Sequence, residues 1–243
     1  MIQYYTCCQH IRFRELIPFF QDLGIKKVYA PHKCLEEDYI GEIELVGCPL
    51  YAVNFEDKNK NSQFSNIDFI NKDRELLFSF IGGLQQGYLS DIRDKIFNLP
   101  KSNNAYVENT GGWHFNEIVY SEKQNKEGAF KASDHHKNST EKYNTVLLNS
   151  KFSLCPSGTG PNSIRLWESL ACGSIPVLLA DTLELPEHDL WVKAIVRIEE
   201  KDCKKVHQIL SSITEHEQTR MRKNCLKIYN YFKDNYANEA KKP

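Results

Sequence analysis

Apolar and polar residues change places along this chain in short blocks, and each block suggests an element. "IQYYTCC" reads as a strand, "IRFRELIPFFQDLG" as a helix ended by Gly24, and "KKVYAP" as a second strand stopped by Pro31. "LVGCPLYAVNF" is predicted as a third strand. Residues 56–73, "EDKNKNSQFSNIDFINKD", are polar and asparagine-rich and read as a loop or linker. A buried-type strand, a Gly82–Gly83 turn and an amphipathic helix follow in "RELLFSFIGGLQQGYLSDIRDKIFNL", then a strand and turn in "NAYVENTGGWHF". Residues 121–140 are polar and read as a surface loop. "EKYNTVLLNS" predicts a short helix leading into strand "KFSLCP", a glycine loop, a helix and strand "IPVLLA". "KAIVRI" is a further strand, and two helices close the chain, "KKVHQILSSI" and "EHEQTRMRKNCLKIYNYFKDNY". Strand and helix alternate almost throughout, and several strands are continuous apolar runs. That is the pattern of an α/β protein whose parallel sheets are doubly wound, with helices on both faces. The linker divides the chain into a small unit over residues 1–73 and a larger one over 74–243.

Composition narrows the function classes. The 31 basic residues are matched by 32 acidic ones, which argues against a general nucleic-acid binder but leaves room for a local anion site. The eight cysteines, at 7, 8, 34, 48, 155, 172, 203 and 225, form no CxxC pair and often sit in apolar runs, as buried free thiols in a reducing compartment do. The N-terminus meets a histidine and arginines too early for a signal peptide, and no apolar run approaches the ~20 residues of a membrane span. A cytoplasmic protein is expected.

The candidate chemistry lies in "CPSGTGPNSIRLWESLACGSIPVLLAD", residues 155–181. In α/β sheets ligands bind beyond the carboxyl ends of strands, where loops lead into helix N-termini. Gly158 and Gly160 let the backbone approach a ligand, Pro161 suits a first helical turn, and a helix N-terminus attracts anions. A diphosphate is the natural guest. Projected at ~100° per residue, Ile164, Leu166, Trp167, Leu170 and Ala171 form an apolar arc, with Asn162, Arg165, Ser169 and Cys172 opposite and Glu168 at the boundary. Arg165 in the first turn opposes the helix dipole unless an anion lies beside it. Glu168, three residues on, could accept hydrogen bonds from ribose hydroxyls. The plainer reading is a turn followed by a solvated ion pair. Neither a Walker loop nor a complete GxGxxG is present.

The segment "NSKFSLCPSGTGPNSIRLWESLACGSIPVLLADTLELP" resembles the signature of exostosin-like glycosyltransferases: S-K-F-x-L-x-P-x-G, S-x-R-x-x-E starting at Ser163, G-x-I-P-V, and a later Leu-Pro. "QHIRFRELIPFFQDLGI" and "ELLFSFIGG" followed by "DIRDKIF" resemble the same family. The resemblance implies a GT-B-like fold of two Rossmann-like domains, inversion at the anomeric carbon and no obligate metal. It also implies a nucleotide-sugar donor, a UDP-sugar being favoured, and a glycan or lipid-linked glycan acceptor. Arg165 would meet the diphosphate and Glu168 the ribose, with Ser157 and Gly158 nearby and Gly82, Gly83 and Arg93 at the first strand–helix turn. The region before "ELLFSF" is only about 75 residues, shorter than the family's usual N-terminal domain, and the lumenal anchors of animal members are absent. That fits a cytoplasmic enzyme of surface polysaccharide synthesis, working at the inner face of the membrane. An α1,3-fucosyltransferase-like enzyme using GDP-fucose has a similar C-terminal half, but its Tyr-Thr-Glu-Lys pattern is missing. A non-catalytic sugar-nucleotide or glycan-binding module is the other alternative.

Inversion by direct displacement needs a group to accept the acceptor's proton. His10, after "YYTCC", and His32, after "KKVYAP", follow N-terminal strands; Glu15 lies farther along the first helix. His10 is favoured because "QHIRFREL" carries the resemblance, and a histidine of ordinary pKa, ~6.5, would serve at neutral pH. No Asp-x-Asp occurs to hold a divalent metal on a diphosphate. "SDHHK" at 133–137 lacks a second ligand pair, and Trp113–His114 reads more readily as a core tryptophan beside a surface histidine than as a stacking site. Arg220, Arg222, Lys223 and Lys227 on the last helix are candidates for peripheral contact with an anionic membrane, though acidic neighbours interleave.

Overall fold

The computed structural model describes residues 4–111 and 134–237. Two sheets organise the chain. The first has the order β1-β2-β4-β3, from β1 (Tyr4–Cys7), β2 (Ile25–Ala30), β3 (Tyr39–Ile40) and β4 (Ile43–Gly47). β1, β2 and β4 run parallel, and β3 folds back antiparallel on β4. A 3₁₀ turn at Phe13–Leu16 and helix α1 (Ile17–Asp22) bury Phe13, Ile17 and Phe20 against Val28, Ala30, Ile43 and Leu45. The predicted first helix is therefore split, with Pro18 in the first turn of α1 and Gly24 in the left-handed conformation that ends it. The third strand starts and stops earlier than "LVGCPLYAVNF" suggests. Residues 53–56 are instead a short helix, α2 (Val53–Glu56).

The second sheet is wholly parallel, in the order β6-β5-β7-β8-β9: β5 (Leu76–Gly82), β6 (Ala105–Asn109), β7 (Ser150–Pro156), β8 (Ile175–Leu179) and β9 (Val196–Arg197). On one face Phe152, Leu154, Val177 and Leu179 pack on α3 (Ile92–Phe97) and α6 (Val206–Ser211). On the other, Cys155 and Leu178 meet α5 (Ile164–Cys172) and α7 (Glu215–Phe232). Helices on both faces are what continuous apolar strands require. Between β5 and β7 the winding reverses, so the crevice at their carboxyl ends is the topological switch point.

Two expected loops are corrected. Residues 134–140 belong to helix α4 (Asp134–Leu148), which starts before the short helix read at 141–150. The asparagine-rich stretch is not a free linker: the ring of Phe64 lies 5.2 Å from that of Phe55, and Phe69 is 5.8 Å from it. With Leu147, Leu148 and Cys172 these rings form a small apolar cluster. Trp113, His114 and residue 133 lie outside the described residues, as do the side chains of residues 134–136. No helix among the described residues is long and apolar enough to cross a membrane. Arg222 is buried and bonded to Gln218 at 3.2 Å, so it cannot join Arg220, Lys223 and Lys227 at a surface. All eight cysteines are free; five are buried, but Cys7 is exposed.

Arg74, the residue ahead of β5, is 2 % exposed yet has no carboxylate in its hydrogen bonds. Its guanidinium donates to the carbonyls of Leu148 (2.7 Å), Ser150 (3.2 Å), Phe69 (3.2 Å) and Cys172 (2.7 Å). Leu148 and Cys172 end α4 and α5, where unpaired carbonyls and the helix dipole both favour a cation. Arg74→Met keeps the volume but leaves these acceptors without donors. It is expected to cost about 3 kcal/mol or more in urea unfolding, at 1–3 kcal/mol for each buried group left unsatisfied. A loss under about 1 kcal/mol, the net worth of one ordinary hydrogen bond, would show that other donors replace it.

Candidate functional site

The carboxyl ends of β5 and β7 carry two arginines that face each other's loops. Arg93, on α3, donates from Nε to the Ser157 carbonyl (2.9 Å) and from Nη1 to the Gly83 carbonyl (3.1 Å) and the Tyr88 hydroxyl (3.3 Å). Arg165, in the first turn of α5, donates to the Ile81 carbonyl. Every one of these acceptors is neutral. The Phe80 ring lies under both guanidinium groups, 4.6 Å from Arg165 and 5.7 Å from Arg93. Tyr143 from α4 flanks Arg165 at 5.1 Å, and Tyr88 flanks Arg93 at 4.5 Å. Aromatic faces hold cations without neutralising them. Burial, with the charge of Arg165 adding to it, pulls the Arg93 pKa down to about 10.

Glycine makes this approach feasible. A Cβ on Gly158 would stand 2.8 Å from Arg93 Nη2, and one on Gly82 would stand 2.8 Å from the Phe80 ring and 3.4 Å from Arg165 Nη2. The structure thus brings Gly82, Gly83, Arg93, Ser157, Gly158 and Arg165 together at the switch point. Ser163 is the N-cap of α5, its hydroxyl accepting the Arg165 N–H at 3.3 Å. The Ser157 hydroxyl is also engaged, donating to Glu200 at 3.2 Å.

Glu168 departs from expectation. It does not sit at the edge of a solvated face but is 3 % exposed, and Ser169, Cys172 and Asn162 are buried with it. From Leu166 to Cys172 helix α5 is enclosed all round, because α2 and the 57–73 segment cover the side that periodicity assigns to solvent. The Glu168 carboxylate accepts the Asn54 N–H at 3.0 Å and the Tyr143 hydroxyl at 2.7 Å. Burial pushes its pKa up. It is enclosed and doubly engaged, and it forms no solvated ion pair with Arg165.

The three candidate bases separate. Glu15 is exposed and paired with Arg12 at 2.7 Å. His10 is exposed, and its Nδ1 accepts the Arg12 N–H at 3.1 Å, so the lone pair a base would use is occupied. His32 is 6 % exposed and lies under the glycine loop, where a Cβ on Gly160 would stand 2.5 Å from its Nδ1. That nitrogen has no hydrogen-bond partner. Burial, aided by the charges of Arg14 and His10, lowers the His32 pKa to about 4, so the ordinary value expected of a base does not hold here.

Further contacts join the units around this loop. Asn162 Nδ2 donates to the Pro31 carbonyl at 2.9 Å, while its Oδ1 accepts from Trp167 Nε1 at 3.2 Å. The buried Lys33 ammonium bonds Asp38 and Glu184, each at 2.7 Å. Sequence reading missed Phe80, Tyr143, Asn162, Lys33 and Arg74. Only Asn162 carried a signal, standing in the loop beside the proline.

A family model described as the Exostosin GT47 domain matches residues 31–213. The chain is 26% identical over 192 residues to an exostosin-1 homolog of Caenorhabditis elegans, covering 77% of this chain and 48% of that protein. It is 32% identical over 84 residues to a probable glucuronoxylan glucuronosyltransferase of Arabidopsis thaliana, covering 34% of this chain and 18% of that one. The chain thus spans about half the length of the first relative and less than a fifth of the second. Among solved structures, the N-terminal domain of the trehalose-6-phosphate phosphatase of Candida albicans aligns with a TM-score of 0.46 at 12% identity, over 88% of this chain and 55% of that one.

His32 makes stability depend on pH. Below pH ~6.5 the unfolded chain binds a proton at this residue that the folded chain refuses until about 4, so stability falls as pH drops through that window. At pH ~5 the loss should be about 2 kcal/mol relative to pH ~7.5. His32→Gln lacks the group, so wild type should lose that much more than the variant between the two pH values in urea unfolding. Equal losses would show that His32 protonates as readily folded as unfolded.

Proposed function

The chain belongs to the exostosin GT47 domain family, and from that premise we propose that it is a glycosyltransferase moving a sugar from a nucleotide-sugar donor to a glycan acceptor. The donor is a UDP-sugar, and the product belongs to a surface polysaccharide. The observation that carries this reading is the pair of guanidinium groups at the switch point, half-buried against aromatic rings and lacking a carboxylate in their hydrogen bonds. Two close cations with only neutral acceptors suit a dianionic guest, and a nucleoside diphosphate presents one. As the acceptor oxygen attacks the anomeric carbon from the face opposite the nucleotide, negative charge grows on the departing diphosphate. Arg93, Arg165 and the N-terminal amides of α5 face that charge, supplying the role a divalent metal would otherwise fill.

We assign the acceptor's proton to His32 rather than His10. His32 is neutral throughout the physiological range, its Nδ1 has no hydrogen-bond partner, and it lies against the glycine loop.

Arg165→Ala is expected to weaken UDP binding by roughly 1.5 to 3 kcal/mol in calorimetry, with the fold retained and the same affinity in EDTA. Unchanged affinity in a folded variant would remove Arg165 from the site. His32→Ala should lower turnover by roughly 10²- to 10⁴-fold while sparing UDP binding, and His10→Ala should leave turnover near normal. The reverse pattern would return the role to His10.

A further inference from the structure

A cavity of about 590 Å³ opens between the first sheet and the C-terminal helix, away from the arginine pair and within the size range of small-molecule sites. Tyr5, Tyr29 and Tyr51 line it from the first unit, and Trp167, Tyr231 and Tyr236 from the second. The rings form a continuous row: Tyr5 to Tyr29 at 6.1 Å, Tyr29 to Tyr236 at 6.4 Å, Tyr236 to Phe232 at 5.6 Å, and Phe232 to Trp167 at 5.4 Å. Tyr5 and Tyr51 are 72 % and 53 % exposed, a costly display of aromatic surface unless something covers it. Residues 233–237 turn as a π-helix at the cavity's edge, a distortion frequent at functional sites.

We propose that this cavity binds a neutral oligosaccharide. Its charged lining residues, Glu56 and Lys233, pair with each other at 2.8 Å, so it offers no free cation to a phosphate or carboxylate. What it offers is aromatic carbon edged with phenol hydroxyls and the amides of Gln9 and Asn235. A sugar ring has the complementary chemistry, an apolar C–H face rimmed by hydroxyls. A purely apolar chain would leave those polar groups unmatched. Trp167 and Arg165 project about 200° apart on α5, so the cavity and the arginine pair lie on opposite sides of that helix. Naming that glycan the acceptor rests on the transferase reading above; its binding does not.

Cys7 supplies a reporter. It is exposed in the cavity wall, and its hydrogen bond with Cys48 lowers its pKa to about 7, so it reacts with iodoacetamide at neutral pH. Alkylation of Cys7 is followed by peptide mass spectrometry with cellotetraose, chitotetraose, UDP or decanoate present. One of the tetrasaccharides should slow the reaction about tenfold at ten times its dissociation constant, because a single site then leaves about a tenth of the protein free. Tyr51→Ala should abolish that protection and Arg165→Ala should keep it. The proposal is overturned if neither tetrasaccharide protects, if UDP or decanoate alone protects, or if Tyr51→Ala protects as well as wild type. Failure of UDP to bind in calorimetry, with saccharide protection intact, would instead overturn the transferase reading alone.

Discussion

The Arg74 guanidinium replaces the water that the last carbonyls of two helices would otherwise need. It reaches the ends of α4 and α5, the start of β7 and the segment that crosses from the first unit, all from one buried side chain. Gly173, left-handed at the end of α5, leaves room for it: a Cβ there would sit 3.5 Å from Arg74 Nη2 and 3.1 Å from the Phe69 carbonyl. With its C-terminus fixed in this way, α5 is fixed at the other end by the Ser163 cap and by Asn162, which reaches the Pro31 carbonyl. A nine-residue helix anchored at both ends has little freedom to turn or slide. The direction in which Arg165 points is therefore set by groups that never touch a ligand.

That rigidity sustains an electrostatic arrangement that would not assemble unaided. Arg93 and Arg165 repel each other, and burial strips away the water that would screen them. Phe80, Tyr88 and Tyr143 offset part of the penalty through their ring faces, and backbone carbonyls take the N–H groups. The remaining positive potential costs stability in the empty protein and favours an anion when one arrives. Such local breaks with the rules of good packing are expected at functional sites.

The second sheet was legible because its strands are covered on both sides and so read as unbroken apolar runs, as in "LLFSF" and "IPVLL". The glycine loop was legible because Gly158 and Gly160 stand where a side chain would strike Arg93 or His32. β3 was missed, since two residues show no period. α2 was hidden because its apolar residues continued the run of β4. Glu168 was misjudged for a physical reason: a helical projection assumes that polar means solvated. A carboxylate given the Asn54 N–H and the Tyr143 hydroxyl can be buried, yet both donors come from segments distant in sequence. His32 fails in the same way, because no local pattern reveals that a loop 128 residues later closes over it.

These long-range contacts also explain why the two units need not move as strangers. Lys33 bonds Glu184 across the boundary, the Leu35 N–H bonds the Thr182 carbonyl at 3.0 Å, and a Cβ on Gly47 would stand 3.4 Å from the Pro186 backbone. The same short stretch of the first unit, residues 31–35, supplies the Pro31 carbonyl to Asn162 and the His32 ring to Gly160. The loop beside the two arginines is thus supported from beneath by the N-terminal unit. Its neighbour in the second unit, Leu89, holds it from the other side by a 2.9 Å bond to the Gly158 carbonyl. A Cβ on Gly160 would stand 2.5 Å from the His32 Nδ1, so the absence of that one atom is what lets the loop rest directly on the first unit.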